Sequence, residues 1–314
     1  MIVFAQTETY TIKRTAFSTE KFDEFSPVYY KNGIVFSTNN NSGKLVDYSS
    51  SQGSGVVNIH FADTTSGTQR SVLFSKSLRT KANDGPVTFN SRSDTIYYSR
   101  NMRSEGNTRE ISSVRNRLGI FYAVNEGKNW TRIRELRFNN EWYNISTPWL
   151  SPDGKRLYFA SDMPGGYGGT DLYYCQNRGD YWDEPVNLGS TVNTKGNEAY
   201  PFITPADEIL FASDGHPGLG GKDIFYSRPV GDGWLLPVRL DPPINSTYDD
   251  FGIITDSLMS EGYFSSNRLK TADIYQFKTR FPQIFYATIQ RENQYCFMFR
   301  DTGAIRVDTT NLRY

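Results

Sequence analysis

The chain has little with which to build a reaction centre. Two cysteines, Cys175 and Cys296, and two histidines, His60 and His216, occur in 314 residues. A disulfide framework is excluded, because cysteine-stapled folds need several bridges. One bridge between the two remains open, beside the simpler reading of two free or buried thiols. So few histidines argue against a histidine metal site, and no G-x-S-x-G stretch marks a serine nucleophile. Net charge is also missing: 34 basic residues balance 34 acidic ones, so neither nucleic acid nor an anionic membrane surface is expected as a partner. No apolar run approaches the roughly 18 residues of a membrane-spanning helix, and no transmembrane segment is expected. Helix-friendly runs of Ala and Leu are scarce.

What the chain does have is 21 Tyr, 21 Phe and 26 Gly, a composition that favours an all-β fold. The opening "MIVFAQ" reads as the remnant of an export signal over residues 1–6, with the mature protein from about Gln6.

One grammar recurs five times. The first strands read "EFSPVYYKNG", "DGPVTFNSRSD", "STPWLSPDGK", "AYPFITPADE" and "DFGIITDSLMSEG". Each is followed by a second strand ("IVFSTN", "IYYSRN", "LYFASD", "ILFASD", "GYFSSN") and a third ("VNIHFAD", "LGIFYAV", "TDLYYCQ", "KDIFYSR", "ADIYQFK"). The markers Pro27, Pro86, Pro148, Pro201 and Gly252 are spaced by 59, 62, 53 and 51 residues. A period this long means supersecondary units set side by side. A fourth strand precedes each new unit: "RSVLFSKSL", "TRIRELRF", "EPVNLGS" and "LPVRLDPP". Aromatic residues Trp130, Trp182 and Trp234 come before three of these. Four short antiparallel strands per unit, apolar on both faces, specify the blades of a β-propeller. The segment "TYTIKRTAFS" has no earlier blade, and the last repeat lacks a fourth strand, so the N-terminal strand is expected to complete the last blade and close the ring. The predicted domain covers residues 7–279 in five blades; six are required if residues 283–300 form another.

In this strand order the loops from second to third strand share a rim with those from fourth to first. That rim carries the longest loops, including "TNNNSGKLVDYSSSQGSGV", "RNMRSEGNTREISSVRNR" and two Gly-rich loops, whereas the other has tight turns such as "SPDGKR". Binding residues are expected on the elaborated rim.

The stretch "SPDGKRLYFASDMPGGYGGTDLYY", with "W.EPVNLG" and "N.EAYPFITP" behind it, closely resembles the WD-repeat-like propeller module of TolB-type and outer-membrane OmpA-family proteins. The Gly-rich version is similar to copies from Bacteroidetes, including the PorE-like component of the type IX secretion system. The likeness covers roughly residues 8–279 and is most specific in blades three to five. It implies an exported, periplasmic or cell-surface protein associated with the outer membrane. It also implies a protein–protein scaffold without catalysis by the propeller, serving an outer-membrane or periplasmic complex such as type IX secretion or the gliding and surface-adhesin machinery. Relatives often carry an OmpA-like peptidoglycan-binding module that is not read in these residues, so direct cell-wall anchoring is not carried over and any association with peptidoglycan is expected to be indirect. Residues 280–314 read as a linker and then "YCFMFRDTGAIRVDTTNLRY", which resembles the lead-in to an immunoglobulin-like or polycystic-kidney-disease-type β-domain. A truncated β-domain, and hence a fragment of a larger protein, is expected.

Partner-binding candidates are aromatic, aliphatic and Arg side chains placed on or near the rim: Arg100, Arg103, Arg115, Trp149, Tyr167 and Leu219. The pairs Asp162 with Asp171 and Asp214 with Asp223 invite a Ca²⁺ reading, but two carboxylates per loop fall short of six to eight oxygens. The preferred role is to accept backbone N–H groups in tight loops. The loop glycines, among them Gly165, Gly166, Gly168, Gly169, Gly218, Gly220 and Gly221, lack the helix or Lys-Ser/Thr pair of a phosphate cradle and are read as packing positions. No cofactor and no metal is expected. The alternative is a glycan- or peptidoglycan-binding, or glycoside-cleaving, propeller using Trp149 and the carboxylates at the strand starts, Glu24, Asp84, Glu198 and Asp250. The stretch "VNEGKNWTRI" resembles the Asp-box turn of sialidases but recurs poorly, and such boxes are structural turns.

Overall fold

Each of the five repeated segments forms the innermost strand of a four-stranded antiparallel sheet. The computed structural model describes residues 10–40, 55–65, 70–103, 116–127 and 129–279, and the backbone of Ile289–Arg291, Gln294–Asp301 and Ala304–Asp308. Blade one comprises Glu24–Tyr30, Gly33–Thr38, Asn58–Asp63 and Val72–Leu73. Blade two comprises Asp84–Phe89, Thr95–Asn101, Leu118–Glu126 and Asn129–Glu135. Blade three runs through Ile145–Leu150, Arg156–Ser161, Asp171–Gln176 and Val186–Asn187. Blade four runs through Glu198–Ile203, Ile209–Ser213, Asp223–Ser227 and Val238–Arg239.

Blade five has Asp250–Thr255, Glu261–Ser266 and Asp273–Thr279, and its outer strand is Tyr10–Arg14 from the start of the chain. The register runs from Tyr10 opposite Thr279 to Arg14 opposite Tyr275. The ring is thus closed as expected, and no sixth blade is needed to cap it. Ile289–Arg291, Gln294–Asp301 and Ala304–Asp308 form a separate three-stranded antiparallel sheet in which no propeller strand takes part.

The second strands are apolar on both faces because each sheet is sandwiched. Val35, Ile59, Val87 and Tyr98 pack between blades one and two, Leu157 and Phe159 with Ile120 between two and three, and Phe211 with Tyr158 between three and four. The largest cluster joins blades four, five and one, and includes Tyr10, Phe17, Phe36, Ile253 and Phe264. Phe17, just past the closing strand, stacks on Phe36 of blade one with ring centroids 5.1 Å apart.

Every innermost strand carries a one-residue register shift, a β-bulge. Ser26, Gly85, Thr147, Tyr200 and Gly252 sit in these bulges with φ between 50° and 108°. This corrects the marker in blade five. Gly252 takes the place of Ser26, Thr147 and Tyr200, before the proline slot, and Ile253 occupies that slot. The strained non-glycine conformations are held by neighbours: Ser26 N–H donates to Ser265 Oγ at 2.9 Å and Thr147 N–H to Ser99 Oγ at 3.0 Å.

Candidate binding rim and axial channel

Residues of all five bulges line one small cavity. The cavity they line, with Pro27, Pro86, Pro148, Pro201 and Trp149 in its wall, measures about 10 Å³, room for about one water. Trp149 packs on Phe202, ring centroids 4.7 Å apart, and touches three of the four core clusters. It is therefore a plug of the channel wall, with its Nε1 buried and unpartnered.

The carboxylates at the strand starts are engaged as caps. Glu24 accepts from Thr19 N–H and Oγ1, both at 2.9 Å. Asp84 accepts from Thr80 at 2.6 and 2.8 Å and from Arg100 Nε at 2.7 Å. Glu198 accepts from Thr194 at 2.9 and 2.7 Å and from Ser213 Oγ at 2.6 Å. Asp250 accepts from Ser246 at 2.6 and 2.7 Å and from Arg268 at 2.6 Å. All four are buried, and blade three has Ile145 at this position. Burial pushes Glu24 up to about 7 against the pull of Thr19. Burial also raises Asp84, opposed by Arg100.

These caps belong to a link that recurs between blades: "FSTEKFDE", "LRTKAND", "FNNEWYNI", "VNTKGNE" and "INSTYDD". Its first residue, Phe17, Leu78, Phe138, Val192 or Ile244, is buried in the core. Its second is Asn in three copies, and there the amide clasps one residue of the third strand at both backbone groups. Asn139 holds Ile120 at 2.9 and 2.8 Å, Asn193 holds Leu172 at 2.7 and 3.0 Å, and Asn245 holds Ile224 at 2.7 and 2.8 Å. Near its end an Asn or Asp clasps the end of the second strand: Asp23 with Asn39, Asn83 with Asn101, Asn144 with Asp162, Asn197 with Asp214 and Asp249 with Asn267. The alignment of strands alone passes over these asparagines; the signal is an apolar-Asn pair ahead of the first strand in blades three, four and five, at Phe138-Asn139, Val192-Asn193 and Ile244-Asn245.

Asp162 and Asp214 are thus partners of Asn144 and Asn197. Asp171 receives Tyr167 N–H at 2.6 Å, Gly168 N–H at 3.2 Å and Asn187 Nδ2 at 2.8 Å, and Asp223 receives Leu219 and Gly220 N–H at 2.7 and 2.9 Å. Among the described residues no three His, Cys, Asp or Glu side chains gather as a metal would need. A Cβ on Gly168 or Gly220 would overlap the backbone of the next link, at Thr194 and Tyr248. The glycines let each loop lie on its neighbour.

The rim presents an apolar arc over blades three to five. Tyr167, Leu219 and Leu269 each stand four residues before the Asp that opens a third strand. Trp142 and Tyr248 occupy one position in two of the links. All five are between 43 and 84% exposed. Of the other anchors read from the sequence, Arg103 is exposed and lies 3.5 Å from Glu141, beside Trp142. Arg100 is a correction: its guanidinium is buried on Asp84 and over the Tyr98 ring, 4.8 Å from the centroid, and is not displayed. Arg115 lies outside the described residues, as does the side chain of Cys296. Cys175 is buried in the core with its thiol raised by burial. His60 is lowered to about 4 by burial.

No protein-family model and no curated protein matches the chain. Several solved structures share the fold at low identity. Zg3597, a family 117 glycoside hydrolase of Zobellia galactanivorans, is 8% identical with a TM-score of 0.51, over 87% of this chain and 90% of that one. An endo-arabinase from Bacteroides thetaiotaomicron is 11% identical with a TM-score of 0.51, over 90% and 99%. A putative TolB from Agrobacterium tumefaciens is 14% identical with a TM-score of 0.50, over 96% and 88%. The chain shares the propeller architecture of all three.

Proposed function

We propose that the propeller is a non-catalytic scaffold of the exported compartment, which holds a partner protein on its apolar arc. The observation that carries this reading is the placement of Tyr167, Leu219 and Leu269 at one repeated loop position, flanked by Trp142 and Tyr248, on a rim whose polar groups are already used to fix its shape. Exposed aromatic and aliphatic residues on a rigid frame are the raw material of an interface hot spot. The catalytic alternative is disfavoured because its carboxylates are buried caps and the cavity that the five bulges line has room for about one water. The finer assignment, to an outer-membrane complex of the type IX secretion or gliding machinery of Bacteroidetes, rests on the resemblance of the Gly-rich repeats.

The test uses the chain as bait in an envelope extract of its own producer. The parent is expected to retain an outer-membrane or periplasmic complex that a Tyr167→Ser, Leu219→Ser, Leu269→Ser variant loses. Leu258→Ser, in a tight turn on the opposite rim, is expected to retain it. Equal capture by all three proteins, or none by the parent, would overturn the reading.

A further inference from the structure

The seam between blades two and three holds a cleft of about 240 Å³ that plays no part in the rim. Its aromatic walls are Tyr97 and Tyr122 of blade two, and Tyr181 and Trp182 from the hairpin joining the third and fourth strands of blade three. Tyr97 and Tyr122 are cross-strand partners, as Tyr158 and Tyr174 are one blade further on. On blade three the space over that pair is filled by Arg156, 5.5 Å above the Tyr174 ring and 3.5 Å from the Tyr158 hydroxyl. Blade two has Thr95 at the matching register position, so its tyrosine pair stays open.

The opposite wall is held in place. Trp182 meets Tyr97 edge-on at 5.9 Å, pairs with Asn177 in a bridge, and is followed by Asp183, which binds Arg178 at 2.6 Å. Preorganised walls reduce the ordering cost of binding. The size suits one ring-sized guest, below the ~300–1,000 Å³ of sites for drug-sized ligands.

The polar lining decides the class of guest. Glu135 and Asp180 accept hydrogen bonds and Arg137 donates them, while the Asn177 amide, which accepts from Gly179 N–H at 2.8 Å and donates to the Gly154 carbonyl at 3.2 Å, keeps one N–H and one lone pair for a guest. A cation would meet Arg137, and an anion would meet two carboxylates. A guest with one C–H-rich face and a border of hydroxyls satisfies both the aromatic faces and the mixed edge. We propose that this cleft binds a single neutral pyranose residue of a glycan, independently of the protein-binding rim.

Saturation-transfer NMR on the full chain with cellotetraose and the N-acetylglucosamine tetramer tests this. Saturation of the ring protons of at least one tetramer is expected. The Tyr181→Ala, Glu135→Gln double variant is expected to weaken binding at least about tenfold, with Tyr167→Ser and Leu219→Ser leaving it unchanged. No transfer to either tetramer at millimolar concentration, transfer unaffected by the double variant, or preference for arginine amide over both sugars would overturn the proposal. None of these outcomes bears on capture by the rim.

Discussion

The Glu24 amide donates to the Ala272 carbonyl at 2.7 Å, joining the first blade to the last. The same bond runs from Asp84 to Val57, from Glu198 to Thr170 and from Asp250 to Lys222. The ring is thus fastened with the joint that serves at three of its other four junctions, although the two residues are far apart in sequence. If so, Phe17→Ala, which removes the ring stacked on Phe36, destabilises the whole propeller by about 3–5 kcal/mol. Urea unfolding measures this, and a loss under about 1 kcal/mol would mean that the closing segment carries little of the fold.

Gly220→Ala is expected to destabilise by roughly 1–3 kcal/mol, because the added methyl overlaps the Tyr248 carbonyl and overpacking displaces one loop from the next. Thermal unfolding with partner capture reads both effects. An unchanged midpoint would show that the loops do not lean on one another.

Asn245→Ala leaves the Ile224 N–H and the Leu240 C=O without the bonds the amide supplies, while the Ile224 C=O keeps its bond from Leu240 N–H at 3.0 Å. At about 1–3 kcal/mol for each buried group left unpaired, a loss of several kcal/mol is expected in urea unfolding. A loss equal to that of an exposed-site alanine variant would contradict the clasp.

Much of this was legible in the chain. Periodic Pro and aromatic strands specified the blades, and the unpaired segment around Tyr10 specified the closure, because a strand without a sheet must find an edge. Asp171 and Asp223 in their Gly-rich loops were readable as acceptors for tight turns. Less legible were roles that depend on which strand end faces which link. Arg100 looked like part of a displayed basic loop, yet it lies opposite Asp84 and is consumed there. Trp149 looked like an anchor, but the bulge before it turns its ring into the channel wall. Asn193 and Asn245 lie outside the strands, in an apolar-Asn motif that repeats between blades, and what the motif clasps is given only by the geometry.

Glu24 makes a pH-dependent prediction. Its folded pKa, about 7, stands above the value of an ordinary carboxylate, so the folded state holds this proton more tightly than the unfolded one. The corresponding stability is present below about pH 4.5 and is lost as the pH rises to 7 and beyond. Glu24→Gln is therefore expected to be more stable than the parent at pH 8, with the advantage shrinking toward pH 5. His60, whose pKa is lowered, works in the opposite direction between about 6.5 and 4, which is why the comparison must be between the two proteins at each pH. A constant difference would place Glu24 in contact with water.

The most direct test of a wheel closed by its own first strand is a pair of cysteines at Thr11 and Lys278, directly opposite in the closing ladder. Directly opposed antiparallel residues lie within the Cα separation that a disulfide spans. In a Cys296→Ser background the Thr11→Cys, Lys278→Cys protein is predicted to form an intramolecular bridge under mild oxidation and to unfold at higher temperature once bridged. Failure to bridge, or an equally ready bridge from Thr11→Cys to Val72→Cys on the outer edge of blade one, would contradict the closed ring.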